Sequence, residues 1–257
     1  VNPDPPITDW ADRLEVVCAA CPNLGAHRVH IVAETASTQD AAWAASGGAA
    51  GWLVVAGRQV AGRGRLGRAW ADTAEDGLAM TLTLPADAVT SVGVGVAVCR
   101  AVREVVPDPA GVGLRWPNDV VERESGRKIA GVLIEVRDRV ALVGIGVNVR
   151  QTPGQFPPEV RHLAASLAQL GGTADRISLA ERIVRALDAV ITEPTPAIAK
   201  HATAMDTLVG TRRRFVCGGR ETAGLVRAID GDGTIDIETE GGVVVRLPAE
   251  TTSLVHE

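Results

Sequence analysis

Hydrophobic positions fall in short runs whose spacing changes along the chain, and the changes predict its elements. Trp10 to Ala20 is an amphipathic stretch stopped by Pro22 and Gly25, too short to be an independent helix-turn-helix domain. Val29 to Ala33 reads as a strand. Ser37 then stands at an N-cap position ahead of a helical run from Gln39 to Ala45. Trp52 to Ala56 is a buried strand that leads into a Gly/Arg-rich loop, Gly62 to Arg68. Beyond it, Leu78 to Leu84 predicts a strand ended by Pro85, and Ser91 to Val106 predicts a core helix despite Gly93 and Gly95. Two hairpins follow: Gly113 to Trp116 with Val120 and Val121, then Ile129 to Val136 with Val140 to Val149 through Arg137-Asp138-Arg139. Residues 178–208 read as helix, with Leu179, Ile183, Ala186, Leu187 and Val190 on one face. From Thr211 onward, short β-rich runs are broken by Gly218-Gly219, Gly231-Asp232-Gly233 and Gly241-Gly242. This predicts a catalytic-sized α+β unit over residues 1–208 and a small β-barrel over 209–257.

Composition narrows the class. With 257 residues, 46% of them hydrophobic, a packed core is available. No apolar run reaches the roughly 20 residues that span a bilayer, and the acidic start (Asp4, Asp9, Asp12) is unlike a secretory leader, so no membrane role and a cytoplasmic location are expected. A net charge of −5 does not attract nucleic acid globally, and any work by arginine must be local. Four cysteines are too sparse for a disulfide framework. Cys18 and Cys21, followed by His27 and His30, carry a zinc reading on ligand chemistry, but the spacing fits no standard finger, and buried thiols pack equally well as small apolar groups.

Gly62-Arg63-Gly64-Arg65-Leu66-Gly67 matches the dinucleotide pattern G-x-G-x-x-G. A polar stretch and a strand follow it, so no helix N-terminus can receive a pyrophosphate. The absence of any Gly-Lys pair removes the P-loop as well. Glycines that let the backbone move and approach closely, with arginines that offer forked donors, describe a clamp for carboxylate or phosphate oxygens; a solvated basic turn is the plainer alternative. Arg115-Trp116-Pro117-Asn118-Asp119 ends a strand in a rigid turn bearing an amide and a carboxylate, which an Asx turn could equally use. Strict alternation from Lys128 places Lys128, Ala130, Val132 and Ile134 on one face, where the lysine needs an anion or a path to solvent. Gly144-Ile145-Gly146-Val147-Asn148 supplies backbone without side chains and then an amide able to read a base edge.

Ser37-Thr38-Gln39, Gln59 with the Gly/Arg loop, Trp116 to Asp119, Lys128 to Leu133 and Gly144 to Asn148 stand in the order and spacing of biotin protein ligases, and the chain resembles that family. The resemblance is strong over about residues 28–150 and weaker through the end domain. It implies a mixed β-sheet packed with helices, of the class II aminoacyl-tRNA synthetase and biotin ligase kind, with a carboxy-terminal SH3-like barrel. It also implies an enzyme that joins biotin to ATP, with Mg2+, as biotinyl-5'-AMP and passes biotin to one lysine of a biotin carboxyl carrier protein. Under it, Ser37, Thr38, Gln59, Gly62, Arg63, Lys128, Gly131, Leu133 and Gly144 hold biotin, with Trp52 as a further apolar wall. Arg65, Arg68, Trp70, Asn118, Lys128 and Asn148 hold ATP or the adenylate, Trp70 by stacking. Lys128, Arg63, Arg65 and Asp119 are the catalytic set, and Asp119 is also the metal ligand or the base for the incoming lysine.

Arg115 where lysine is usual, Ile129 for leucine and Ala165-Ser166-Leu167 for Thr-Ser-Leu are mild departures. No amino-terminal DNA-binding domain is read in the chain, so no DNA partner is expected, while similar proteins leave room for a homodimer through the central sheet. The rivals are a lipoate or octanoate ligase, and, from another class, a non-catalytic nucleic-acid binder, which the absence of Tyr and the presence of only two Phe argue against.

Overall fold

The computed structural model describes residues 2–71 and 74–255, so positions 72 and 73 of the polar stretch after the Gly/Arg loop lie outside it. Among the described residues the elements are α1 (Trp10–Ala19), β1 (Arg28–Thr35), α2 (Thr38–Ser46), β2 (Trp52–Gln59), β3 (Gly62–Arg63), β4 (Ala69–Trp70), β5 (Gly77–Pro85), α3 (Ser91–Arg103), β6 (Val112–Arg115), β7 (Asp119–Glu122), β8 (Lys128–Arg137) and β9 (Val140–Asn148). They continue with α4 (Arg176–Val190), α5 (Thr195–Met205), β10 (Arg212–Cys217), β11 (Arg220–Ile229), β12 (Ile235–Glu238), β13 (Val244–Leu247) and β14 (Thr252–Leu254).

A seven-stranded sheet in the order β1-β2-β5-β9-β8-β7-β6 forms the frame. Only β1 and β2 pair in parallel, so the sheet is mixed as expected. One face, with Leu78, Met80, Leu82, Val143, Ile145 and Val147, packs against α1, α3 and α4 in one apolar core. The opposite face is polar at its centre, and α2 lies across it, with the Thr81 hydroxyl donating to Thr38 Oγ1 at 2.9 Å.

The single helix read over residues 178–208 is two helices, α4 and α5. Pro194 and Pro196 separate them, because proline closes the first turn of a helix but not its interior. Leu179, Ile183, Leu187 and Val190 are buried as the periodicity requires, while Ala186 is only partly so. Asp175 caps α4 by accepting from Ile177 N and Ser178 N. Ser37 does occupy the N-cap of α2, but its side chain makes no capping bond.

The carboxy-terminal strands form an antiparallel five-stranded sheet, β13-β12-β11-β10-β14, the small barrel-like end unit. Its apolar side continues the main core through Phe215, Val226, Ile235 and Ile237. The join is made by Trp116: its ring meets Phe215 edge-on at 5.9 Å, and its Nε1 donates to Gly233 O at 2.9 Å. Phe215→Ala should therefore cost about 3–5 kcal/mol and lower the denaturant midpoint of the whole chain in a single transition; loss of the end sheet in a separate earlier transition would contradict this shared core.

Candidate functional site

The polar face of the sheet is floored by glycine. Gly131 pairs with Gly146, and Leu133 with Gly144, across β8 and β9. A Cβ at Gly146 would sit 2.7 Å from Trp70, and one at Gly131 would sit 2.7 Å from Lys128 Nζ and 3.1 Å from Trp70. Glycine is what allows the indole and the lysine to lie on the strands. The placement of Lys128 corrects the alternation read from sequence. A β-bulge between β7 and β8 pairs Val120 with Ala130 but Val121 with Lys128, which inserts one residue and reverses the parity. Ala130 and Val132 face the core, and Lys128 faces Gly131 on the open side.

Two hollows share this floor. The smaller, about 50 Å³, is lined by Ser37, Thr38, Gln59, Arg63, Leu133 and Gly144 among others. Thr38 N and Oγ1 donate to Gln59 Oε1 at 2.8 and 3.0 Å, completing a relay from Thr81. That leaves the Gln59 amide nitrogen toward Gly62, where a Cβ would be 2.5 Å away. Gln39, not singled out as a site residue, donates from Nε2 to Leu133 O at 3.2 Å and Leu142 O at 3.0 Å and closes the hollow over Gly144. Trp52 is not part of this wall: it lies at the opposite end of β2 from Gln59, under the Arg28 guanidinium at 5.2 Å.

The larger cavity, about 260 Å³, is bounded by Arg65, Arg68, Trp70, Asn118, Asp119, Lys128 and Asn148. Phe156, Val160 and Leu163, from a segment with no readable periodicity, and Leu254 of the end sheet add apolar walls that the sequence did not reveal. Lys128, Trp70, Asn118 and Arg65 border both hollows. At this junction Lys128 Nζ lies 2.6 Å from Asp119 Oδ1 and 5.3 Å from the Trp70 ring centre, and Arg115 holds Asp119 Oδ2 at 2.9 Å. Burial alone would raise the Asp119 pKa, but the charges of Lys128 and Arg115 and their hydrogen bonds outweigh it and keep the carboxylate below its usual range. Asn118 donates to Val132 O at 2.5 Å. Asn148 donates to Lys128 O at 3.1 Å and Ala165 O at 3.0 Å, so both amide hydrogens serve the backbone and only its oxygen is left for a base edge.

The Gly/Arg loop is a short hairpin, with Gly62 paired to Trp70 and Arg63 to Ala69. Leu66 and Gly67 turn it at φ 56° and 75°. Its arginines point three ways. Arg63 binds Asp40 at 2.5 Å and Glu135 at 3.1 Å. Arg65 donates to the carbonyls of Ala249 and Thr252 in the end sheet. Arg68 is exposed at the rim of the larger cavity. Cys18 and Cys21 are buried in the core, the Cys18 thiol pushed up to about 11 by burial, and among the described residues no three His, Cys, Asp or Glu side chains gather to hold a metal.

The turn that carries Asn118 and Asp119 is anchored from below. Trp116 N donates to Asp206 Oδ2 at 2.8 Å, while Asp206 Oδ1 accepts from Leu208 N at 2.6 Å and Val209 N at 3.2 Å. Burial nevertheless raises the Asp206 carboxyl from 3.8 to about 6. The folded chain therefore holds this proton more tightly than the unfolded chain, a stabilisation complete below about pH 4 and lost as pH rises through about 6. The unfolding free energy of the wild type relative to Asp206→Asn should fall across that window in denaturant titrations; a difference independent of pH would contradict the assignment.

Residues 31–151 match the model of the biotin/lipoate A/B protein ligase family. The biotin--[acetyl-CoA-carboxylase] ligase of Mycobacterium tuberculosis is 35% identical across 94% of this chain and 93% of its own length. The biotin protein ligase of Aquifex aeolicus in complex with biotin and ATP superposes with a TM-score of 0.78 at 25% identity, covering 90% of this chain and 99% of that one. That of Leishmania major in complex with biotinyl-5-AMP gives 0.61 at 27% identity, covering 86% and 99%.

Proposed function

The chain belongs to the biotin/lipoate A/B protein ligase family, among its biotin protein ligases, and from that premise we propose how its residues carry out ATP-dependent biotinylation of a carboxylase carrier domain. The observation that carries the reading is the position of Lys128 where the two hollows meet. Biotin's ureido ring, neutral and polar, suits the Thr81–Thr38–Gln59 relay and the Gln59 amide; ATP suits the larger cavity with its indole, apolar walls and exposed Arg68.

Activation brings the biotin carboxylate onto the α-phosphate. Two unit charges 4 Å apart at an effective dielectric near 20 repel by about 4 kcal/mol, and a fixed ammonium between them offsets that repulsion. The carboxylate oxygen bonds to the α-phosphorus as pyrophosphate leaves. The neutral amine of a carrier lysine then attacks the acyl carbon, the bond to the phosphate oxygen breaks as AMP departs, and the proton lost by the amine passes to solvent. Asp119, kept ionised by two cations, is a weak base at neutral pH, and we assign it to orienting Lys128 rather than to taking the lysine proton. Magnesium would arrive on the phosphates of ATP, since a single carboxylate with both oxygens engaged is no cage of its own, and it would supply charge neutralisation there. Trp70 stacks on the adenine, and Arg65 and the hairpin exclude water from the mixed anhydride. Residues 1–208 carry these groups and residues 209–257 back the hairpin. Among the described residues no helix is long and apolar enough to cross a membrane. The use of ATP and of a carrier protein supports a cytoplasmic setting for the reaction.

The test is incubation with ATP, magnesium, labelled biotin or lipoate and each apo carrier domain. Biotin transfer to the biotin carboxyl carrier domain alone is expected; transfer of lipoate instead would replace this reading with the lipoate ligase one. Lys128→Ala should abolish adenylate formation, at least 100-fold by pyrophosphate release, while thermal unfolding stays cooperative because Arg115 still pairs with Asp119 (about 3 kcal/mol of lost charge stabilisation corresponds to that factor). Near-wild-type activity would remove Lys128 from its role.

A further inference from the structure

Little in the hairpin itself keeps it closed over the site. Its two strands are two residues each, and a ribbon that short has no independent stability. Its apolar tip, Leu66, is 60% exposed and contributes little burial. The fastening must come from side chains: Arg65 ties the hairpin to the end unit through the carbonyls of Ala249 and Thr252, and at the base of the hairpin a four-charge cluster ties it to α2 and the sheet. Arg63 Nη1 and Nη2 grip the two carboxylate oxygens of Asp40 at 2.5 and 3.0 Å, and its Nε and Nη2 reach Glu135 at 3.1 and 3.4 Å. Arg137 bridges the same two carboxylates, at 3.2 Å to Asp40 and 2.7 Å to Glu135, and rests over the Trp43 ring at 5.9 Å.

Four of the five N–H groups of the Arg63 guanidinium are thus engaged by the protein, and only one, on Nη1, is left to offer a ligand while the clasp stays closed. The hydrogen bond from Arg63, helped by that from Arg137 and by the charges of both, holds the Asp40 carboxyl below its usual range against the opposing effect of burial. Asp40 sits in the first turn of α2, where the helix N-terminus favours an anion. The same turn carries Thr38, which holds Gln59, and Gln39, which closes over Gly144. Gly62, the residue before Arg63, is seated against Gln59 and Trp70. One helix turn therefore carries both a wall of the smaller hollow and the anchor of its cover.

We propose that Asp40 is a positioning residue that acts through Arg63 to fasten the hairpin over the site, and so sets how long biotinyl-adenylate stays bound. The proposal rests on the biotin ligase reading above. It also gives Arg63 a place different from that implied by the family resemblance: its guanidinium fastens the cover, while its strand backbone forms the wall.

The experiment follows the adenylate on the full chain. Wild type, Asp40→Asn, Arg63→Gln, the double variant and Asp40→Glu are each loaded with labelled biotin and magnesium-ATP. Adenylate formation is then measured by pyrophosphate release, and adenylate escape by labelling of serum albumin added as a bystander. Asp40→Asn and Arg63→Gln should each speed escape about three- to tenfold, the range that exposed ion pairs acting as a network can supply. In Asp40→Asn, formation at saturating biotin should change less than about twofold. The double variant should be no leakier than either single one, Asp40→Glu should restore most of the retention, and in about 1 M salt the wild type should approach Asp40→Asn as the charges are screened. In the unliganded chain, amide exchange over residues 62–71 should be faster in Asp40→Asn, a readout that needs no activity. Retention unchanged in Asp40→Asn while Arg63→Gln leaks, or effects that multiply in the double variant, would overturn the clasp and return Arg63 to the ligand. A wild type that forms no adenylate would overturn the functional reading and, with it, the intermediate the clasp is said to retain.

Discussion

A lysine that lies on the face of a β-sheet must meet two conditions, and the site is arranged around both. The strands beneath it need room, which Gly131 and Gly146 supply where any Cβ would collide with Lys128 or Trp70. The ammonium needs an anion that stays ionised, which Asp119 supplies because Arg115 holds its other oxygen. The pair is only partly buried, so its cost of breaking is set as much by the second cation, Arg115, on Asp119 as by desolvation. The turn from Trp116 to Asp119 is accordingly tied down, by Asp206 on the Trp116 amide and by Asn118 on Val132.

Those ties connect the catalytic sheet to the end sheet. Asp206 closes α5 and leads toward β10, and Trp116, one side of the turn, packs on Phe215 of β10. Arg65 reaches the carbonyls of Ala249 and Thr252 from the other direction. The end unit is therefore joined to the site at two points, through the turn that bears Asp119 and through the hairpin that covers the cavity. Of the hairpin arginines, Arg63 and Arg65 are matched to carboxylates or carbonyls within the fold, and Arg68 stands exposed at the cavity rim.

Most of the frame was legible. The strands from Val29, Trp52, Leu78, Ile129 and Val140, the helix from Ser91 and the β-rich end all announce themselves through apolar runs bounded by Gly and Pro. The break between α4 and α5 was missed because the apolar periodicity resumes after it, although Pro194 and Pro196 were the available signal. The motifs that gather at the site are separated by up to about a hundred residues, and their grouping was recognised by order and spacing rather than by any local rule.

What the residues determined alone is the chemistry at hand: a neutral polar set at Ser37, Thr38 and Gln59, a Gly/Arg loop, one lysine beside glycine strands, and no fingerprint for a dinucleotide or P-loop. Tertiary structure decided which groups meet and which are already engaged. A one-residue bulge put Lys128 on the open face against the alternation of its strand, since side-chain parity depends on the partner strand as much as on the chain itself. Arg63 looked free to hold an oxyanion until Asp40 and Glu135, 23 and 72 residues away in sequence, closed on it. Trp52 left the site and Gln39 entered it for the same reason: hydrogen bonds and contacts act over a few ångströms of space, and only the folded sheet sets those distances.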